Sequence, residues 1–242
     1  TLRRPGVAMA QSVGAANLAA GLQDAYLASS PVITITGRWP TIQKDRHAYQ
    51  EINHWPIYEP VTKYNTDVDG VDQLPSILSQ AFREATSGSP GPVHLDVLGI
   101  MGQSLDETKT DLEVVVEEQF SSYPAFRPAP EPERVKEAVS NLLAAKKPVI
   151  VAGGGVTASN AGAEVVRLAE ILSLPVATSL NGKGVIPEDH PLSIGVVGSY
   201  SRRCANQIVS EADLVLFVGS HTGGQVTNYW KIPETDTATI QI

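Results

Sequence analysis

The chain has 242 residues, a formal net charge of −8 and 42% hydrophobic against 18% charged residues, as expected of a globular protein with one large or two medium domains. The acidic balance argues against nucleic-acid binding, which depends on clustered Lys and Arg. No apolar run approaches the roughly 20 residues of a membrane-spanning helix, and the run at residues 7–10 is too short for a signal peptide. Cys204 is the only cysteine, so no internal disulfide forms, which fits a cytoplasmic protein.

The first block alternates between strand-like and helix-like segments. A short apolar strand is predicted at residues 6–10, and a helix at 14–29 from the spacing of Leu18, Leu22, Ala25 and Tyr26. Residues 32–36 are almost all β-branched or apolar and stop at Gly37, which predicts a buried strand. The stretch 41–64 is irregular and aromatic, a helix begins near Leu74, and a strand follows at 93–97.

A second block repeats the alternation after a stretch of different composition. Residues 102–132 are acidic and then proline-rich, which predicts a linker. The apolar stripe Val135, Val139, Leu142 and Leu143 predicts a helix, and strands are predicted at 149–152, 175–178, 214–218 and 238–242 with helices at 161–172 and 201–210.

The alternation of strands and helices predicts the fold class. It indicates an α/β protein with two doubly wound parallel-sheet domains joined by a long proline-rich linker. The predicted domains are residues 1–101 and 133–242, with 102–132 between them.

Glycine-rich turns follow the strands of the second block. The glycines at 153–155 come between a strand and a helix, where small residues let a backbone approach a phosphate. The glycines at 182–184 and the pair Gly219-Ser220 repeat the pattern at other strand ends. This is not G-x-G-x-x-G, so two interpretations stay open: a nucleotide-like ligand bound where the loops converge, or tight turns alone.

Other reactive side chains are interpreted structurally. His94 lies in an apolar strand and is expected to be buried, His190 belongs to a turn, and Cys204 is expected in a helix core. His47, His54 and Asp45 share one loop, but their spacing matches no metal motif. No phosphate-binding P-loop or nucleophile elbow is present.

Two polar segments remain as candidates at strand ends. Gln11 and Ser12 stand where the first strand passes into a helix, with a helix cap by Ser12 as the alternative. Gln50 and Glu51 lie in the aromatic loop after the next strand, where Glu51 is either a proton carrier or an ordinary exposed glutamate.

These segments resemble a known family when they are taken in order. Residues 5–7, 11–18, 24–26, 31–33 and 36–37 are similar to the pyrimidine-binding domain of thiamine-diphosphate enzymes such as acetolactate synthase, pyruvate decarboxylase and benzoylformate decarboxylase. Tyr49-Gln50-Glu51 resembles the Phe-Gln-Glu of acetolactate synthases, and residues 90–97 resemble the strand that closes that domain. The second block resembles the central domain of the family through its glycine turns.

The resemblance implies a function and a set of site residues. It implies a lyase or transferase that forms or breaks C–C bonds of a 2-oxo acid or related ketone with thiamine diphosphate and magnesium, and that assembles as a homodimer or homotetramer around a small-molecule substrate. Gln11 and Gln50 are the expected catalytic residues, and Ser12, Gly14 and Asn17 the expected contacts of the thiamine group. If the central domain binds FAD, the expected contacts are Gly154, Gly155, Gly182, Gly184, Gly219 and Ser220.

The chain also departs from the family. Synthases have Gly-Pro-Gly where this chain has Ser12-Val13-Gly14, so the reaction subtype is left open. The family's activating glutamate is expected upstream of Thr1, and the Gly-Asp-Gly and Asn that hold magnesium downstream of Ile242, so the chain alone is expected to be inactive and to hold no metal. The rival hypothesis is a non-catalytic protein that binds FAD or NAD, or a scaffold, built on the same folds.

Overall fold

A computed structural model describes residues 2–99 and 111–242. The chain divides into two compact units, Thr1–Arg127 and Pro128–Ile242. Residues 102–110 of the predicted linker lie outside the described residues, as do residues 100 and 101 of the first predicted domain. The later residues 111–127 belong to the first unit, where Glu117 forms a double hydrogen bond with Arg83 at 2.6 and 2.8 Å. The linker as a connector stays a prediction.

The first unit is built on a parallel sheet. Its described strands are ordered β1-β2-β4-β3, and all neighbours run parallel. The elements in chain order are β1 (Gly6–Gln11), α1 (Ser12–Leu27), β2 (Val32–Arg38), α2 (Trp55–Tyr58), β3 (Tyr64–Val68), α3 (Leu74–Thr86) and β4 (Val93–Leu98).

Helices cover both faces of this sheet. Ile33 belongs to the core that α3 completes with Ala81 and Ala85, whereas the neighbouring Val32 packs with Ala19 of α1. Successive residues of a strand point to opposite faces, so α1 and α3 lie on opposite sides of the sheet. The doubly wound α/β prediction is therefore confirmed for this unit.

The face that α1 buries matches the predicted one only in part: Leu22 is buried, and Leu18 and Ala25 are half-buried. Its buried residues are Ser12, Ala15, Ala19 and Leu22, and Tyr26 is 42% exposed. Small residues allow the helix to approach the sheet closely, so the packing stripe runs through the alanines rather than through Leu18 and Tyr26. The expected helix cap by Ser12 is wrong: Gln11 occupies the cap position without a side-chain bond, and Ser12 is the first helical residue.

The stretch 41–64 contains more structure than its sequence indicates. The short helix α2 places Tyr58 in the core, and β3 begins at Tyr64 and pairs with β4. β3 has the sequence Tyr-Asn-Thr-Asp-Val, in which the apolar alternation that marks a strand is too weak to recognise.

The second unit has a larger parallel sheet of order β7-β6-β5-β8-β9. Because β5 lies between β6 and β8, the strand order reverses at β5, as in dinucleotide-binding sheets. The elements are α4 (Pro132–Ala144), β5 (Pro148–Ala152), α5 (Gly154–Ser159), α6 (Gly162–Leu172), β6 (Val176–Thr178), β7 (Ser193–Val196), α7 (Arg203–Ser210), β8 (Leu214–Val218) and β9 (Ala238–Gln241).

Both faces of this sheet are also covered. Ile150 and Leu216 belong to one apolar cluster, Val149 and Val151 to the other. This explains the continuous apolar runs of β5 and β8, since strands buried on both faces lose the alternation of polar and apolar residues.

Two expectations for the second unit need correction, and one strand was missed. Cys204 is exposed, because Ala205 and Val209 are the residues that α7 buries. In the predicted stripe of α4 only Leu142 is buried, and Leu143 is 65% exposed. The strand β7 was not predicted, because Ser-Ile-Gly-Val carries a weak pattern. Among the described residues, no helix has the length and apolarity to cross a bilayer.

Candidate functional site

The carboxyl edge of the first sheet brings the polar candidates of that unit together. β1 and β2 run parallel in the register Gln11–Gly37, so the turn into α1 and the loop after β2 leave the sheet at the same edge. Gln11 is exposed and extended, and it ends β1. Asn17 lies one turn further along α1 and is also exposed.

Ser12 occupies an unusual backbone conformation. Its φ is 50°, in the left-handed region, although it is 2% exposed and opens a right-handed helix. Non-glycine residues enter this region at a cost of about 1 kcal/mol or more, and such strain is concentrated at functional sites. Glycine adopts this conformation without that cost, which agrees with the glycine that the resemblance to synthases leads one to expect here.

Gly14 is not required by the packing of the protein. A Cβ there meets nothing closer than the Ala10 Cβ at 3.7 Å, which is ordinary contact, and the residue is exposed. A helical glycine costs about 1 kcal/mol relative to alanine. The open space beside Gly14 is therefore available to a ligand that approaches the backbone closely.

Gly14→Ala is accordingly expected to stabilise the chain by about 0.5–1 kcal/mol. Gly21→Ala is the matched control, since Gly21 lies in the same helix with nothing within 4 Å of its Cβ position. Urea denaturation measures both. A clear destabilisation by Gly14→Ala alone would show that the protein's own packing requires this glycine.

Gln50 lies in the loop after β2, held by its neighbours. Its φ is 61° and its amide donates to the Tyr49 hydroxyl at 3.1 Å, while the Tyr49 carbonyl accepts from the Trp39 indole. Glu51 is half-buried and accepts backbone N–H groups of Asp45 and Ala48 at 2.9 and 3.4 Å. Glu51 thus closes the loop that carries Gln50, a structural role that differs from both a proton carrier and an ordinary exposed glutamate.

A buried polar network lies beneath this edge and was not predicted. His94 Nε2 lies 2.6 Å from the Thr36 hydroxyl, and Thr36 donates to Asp96 Oδ1 at 2.7 Å. His54 Nδ1 lies 3.0 Å from the same carboxylate oxygen, and His94 Nδ1 lies 2.7 Å from Asn65 Oδ1. His94 was expected to be buried and is, at 0% exposure. Its hydrogen-bond partners, Thr36 and Asn65, come from two other strands, β2 and β3.

The Thr36 hydroxyl, the His94 imidazole and the Asn65 amide are arranged like the nucleophile, the base and the orienting group of a catalytic triad. Thr36 is 1% exposed, so no substrate reaches its hydroxyl. The arrangement is therefore structural. A sequence signal existed: polar residues at alternate positions in apolar strands, at Thr34 and Thr36 in β2 and at His94 and Asp96 in β4.

The environment shifts two pKa values in the network. Burial lowers the pKa of His94 to about 4, against the opposing influence of Asp96, with a smaller lowering by His54. Burial, aided by Asp96, raises the pKa of the Tyr58 phenol. His94 is thus neutral near pH 7.

The glycine turns of the second unit converge, as expected from their position at strand ends. Gly155 N–H donates to the Gly219 carbonyl at 2.8 Å, and Gly153 N–H donates to the Val218 carbonyl at 2.8 Å. A Cβ on Gly153 lies 2.2 Å from the Gly219 oxygen, and one on Gly182 lies 2.3 Å from the Ala152 oxygen. These glycines are required by contacts of backbone with backbone.

The FAD contacts inferred from resemblance therefore fall into two groups. Gly155, Gly182 and Gly219 are used by the protein's own packing, and a Cβ on Gly154 would lie 3.1 Å from the Asn181 Cβ. Ser220 is buried, its hydroxyl directed to the His221 carbonyl. Gly184, with φ 90° and open space around it, lines a cavity of about 280 Å³.

Charged side chains line that cavity at the carboxyl ends of β6 and β7. Glu188 lies 3.1 Å from Lys183 Nζ and 3.2 Å from Arg202 Nη2. The hydrogen bond from Lys183 lowers the pKa of Glu188, with Arg202 contributing less. Lys183 and Arg202 are the kind of side chains that bind phosphate, and in this structure both pair with the Glu188 carboxylate.

In the described residues no group of three or more His, Cys, Asp and Glu side chains is arranged to hold a metal ion. His54, which shares the loop of His47 and Asp45 in sequence, is 1% exposed and points to Asp96 in the core.

Comparisons with known proteins identify both units. Residues 1–57 match the N-terminal TPP binding domain of thiamine pyrophosphate enzymes, and residues 135–242 match their central domain. The chain is 38% identical over 216 residues to a probable acetolactate synthase large subunit of Methanocaldococcus jannaschii, covering 88% of the chain and 36% of the relative. It is 38% identical over 218 residues to the acetolactate synthase isozyme 1 large subunit of Escherichia coli (90% and 37% covered) and 36% identical over 225 residues to the chloroplastic acetolactate synthase of Arabidopsis thaliana (93% and 33%). The chain spans about a third of the length of these relatives.

Proposed function

The chain belongs to the thiamine pyrophosphate enzymes, and we propose that it supplies the pyrimidine side of an acetolactate-synthase-like site acting on a 2-oxo acid. The position of Gly14 carries this proposal: it has open space and lies next to the carboxyl end of β1, whereas Gly21, which is also open, lies about two turns further along α1. The names of the relatives support the reaction class.

The residues of the first unit fit the thiamine group in chemical type. Gln11 and Asn17 offer amide donors and acceptors at an exposed edge, and Ser12 and Gly14 in the turn between them carry little side-chain bulk. When bound, thiamine diphosphate would supply the carbon nucleophile for C–C bond chemistry at the substrate carbonyl. Gln11 and Gln50 would orient the pyrimidine and the substrate by hydrogen bonds.

A chimaera tests the roles of the two glutamines. Residues 1–242 replace the matching stretch of the Escherichia coli isozyme 1 large subunit, and acetolactate formation from pyruvate is measured. Gln50→Ala and Gln11→Ala are each expected to lower kcat/KM about tenfold or more, the value of one or two hydrogen bonds made in the transition state.

Gln23→Ala is the control, since Gln23 is an exposed residue of α1 outside the proposed site. The unsubstituted chimaera must be active for the comparison to count. Equal activity of Gln50→Ala and Gln23→Ala would remove Gln50 from the site, and loss of thiamine binding without loss of stability in Gly14→Ala would support the contact at Gly14.

We also propose that FAD, if it binds, uses the cavity beside Gly184 rather than the glycines at 153–155. Titration of the chain with FAD, followed by flavin fluorescence, is expected to be weakened by Arg202→Gln and unchanged by Lys231→Gln, an exposed lysine away from the cavity. The rival scaffold hypothesis expects neither flavin binding by the chain nor activity of the chimaera.

The remaining expectations are proposals of the same kind. We expect a cytoplasmic enzyme with a small-molecule substrate, assembled as a homodimer or homotetramer. The single cysteine is consistent with a reducing compartment.

A further inference from the structure

A continuous series of buried contacts joins His94 to the first turn of α1. The Tyr58 ring stacks on the His94 ring, with centroids 3.6 Å apart and planes inclined by 9°. The Tyr58 hydroxyl donates to the Ala15 carbonyl at 2.7 Å. Both rings are 0% exposed, so a displacement of one is passed to the other through close packing.

The hydrogen bonds around His94 require one more proton than a neutral imidazole carries. The Asn65 amide group donates to the Trp55 carbonyl, which leaves Asn65 Oδ1 as an acceptor for His94 Nδ1–H. Thr36 donates its only proton to Asp96, so His94 Nε2 must donate to Thr36. With every contact satisfied, both ring nitrogens carry hydrogen.

The neutral ring that prevails near pH 7 lacks that proton. Two lone pairs then face each other across a contact of 2.6 or 2.7 Å, either at Thr36 or at Asn65. Such a contact is repulsive in a buried site, so the ring has to shift or the hydroxyl has to turn. Burial lowers the pKa of His94 to about 4, so this change of state occurs in mild acid.

Charged and titratable groups face His94 from several elements. Asp96 of β4 and His54 of the loop before α2 are nearest, and His54 Nε2 is buried without a partner among the described residues. Asp67 of β3 lies beyond Asp96 and is paired with Arg38 of β2 at 3.8 Å. From α1 the described contact is the uncharged carbonyl of Ala15, reached through Tyr58.

We propose that Tyr58 and His94 are positioning residues: the protonation state of the His94–Thr36–Asp96 network sets the position of the first turn of α1, through the stacked Tyr58 ring and its bond to Ala15. This turn carries Ser12 and Gly14. Only the identity of what the turn binds rests on the proposed function, whereas the coupling belongs to this chain alone.

The test follows amide and histidine signals of the ¹⁵N,¹³C-labelled chain by NMR between pH 7.5 and the onset of acid unfolding. The amide signals of residues 13–19 are expected to shift along the same curve as the His94 ring. In Tyr58→Phe the ring should still titrate while these amides stay in place. Tyr26→Phe, which alters an exposed tyrosine of α1, should leave the coupling intact.

A second measurement at pH 7 covers the case in which acid unfolding hides the titration. His94→Gln is expected to shift the amides of residues 13–19 in the wild-type background and to shift them less than half as far in the Tyr58→Phe background. Equal shifts in both backgrounds would overturn the proposal. So would amide signals of residues 13–19 that change neither with the titration of His94 nor with its substitution. Neither measurement needs the cofactor, so an inactive chimaera would contradict the proposed function and leave this coupling standing.

Discussion

Gly153→Ala is expected to destabilise the second unit by about 3 kcal/mol or more, at the upper end for overpacked cores. The new Cβ would lie 2.2 Å from the Gly219 oxygen and 2.5 Å from the Ser220 Cα, and neither atom belongs to a flexible side chain. The Gly153 backbone has φ −108° and ψ −174°, which alanine adopts freely. The cost therefore comes entirely from pushing apart the turns after β5 and β8.

Gly223→Ala provides the matched control in the same unit, because nothing lies within 4 Å of its Cβ position. Its effect should fall within about 0.5 kcal/mol of zero. Urea denaturation followed by the fluorescence of Trp230, with Trp39 and Trp55 replaced by Phe, reports on the second unit alone. Similar midpoints for the two alanine variants would mean that the turns separate without cost and that the glycines have another purpose.

Glycine patterns alone did not separate a binding loop from a packing contact. Gly14 and Gly153 both follow a strand and precede or open a helix, yet a Cβ meets open space at the first and backbone at the second. Gly153 meets the loop that follows β8, because β8 is the neighbour of β5 in the sheet. In the part of the chain that the structure describes, no such loop lies beside Gly14, so the difference depends on the order of strands in the sheet. Local sequence carries no record of it.

The fold itself followed from the alternation of apolar segments. Strands buried on both faces, such as β5 and β8, are recognisable as continuous apolar runs. β3 and β7 were missed because each carries polar or glycine residues at positions that an edge or near-edge strand tolerates. Their existence depends on a neighbour strand, which tertiary structure supplies.

Ser12 illustrates a case in which the resemblance predicts more than composition does. The resemblance matches Ser12 with a glycine of the family, and the Ser12 φ of 50° lies in the left-handed region that glycine favours. A conformation kept against the preference of its residue indicates that the neighbouring backbone fixes it, as at a site whose geometry matters.

The buried network makes the stability of the first unit depend on pH, with the largest single contribution from His94. Burial lowers its folded pKa to about 4, whereas an exposed histidine in the unfolded chain has a pKa of about 6.5. Between these values the unfolded state binds more protons than the folded state, so the free energy of unfolding falls as the pH falls. The contribution is present in full above pH 6.5, and about 2 of roughly 3 kcal/mol is lost by pH 5.

His94→Gln should remove this dependence while it lowers stability at pH 7, because glutamine cannot stack on Tyr58 as the imidazole does. Urea denaturation at pH 7 and pH 5 measures the difference: the wild-type chain should lose about 2 kcal/mol more than the variant over this interval. Carboxylates such as Asp213 and Glu188 have lowered pKa values and titrate in both chains, so they cancel in the comparison. Parallel losses in the two chains would assign the acid sensitivity to other groups. A larger loss in the wild type would show that burial of the ring opposes its second proton more strongly than the hydrogen-bond partners favour that proton.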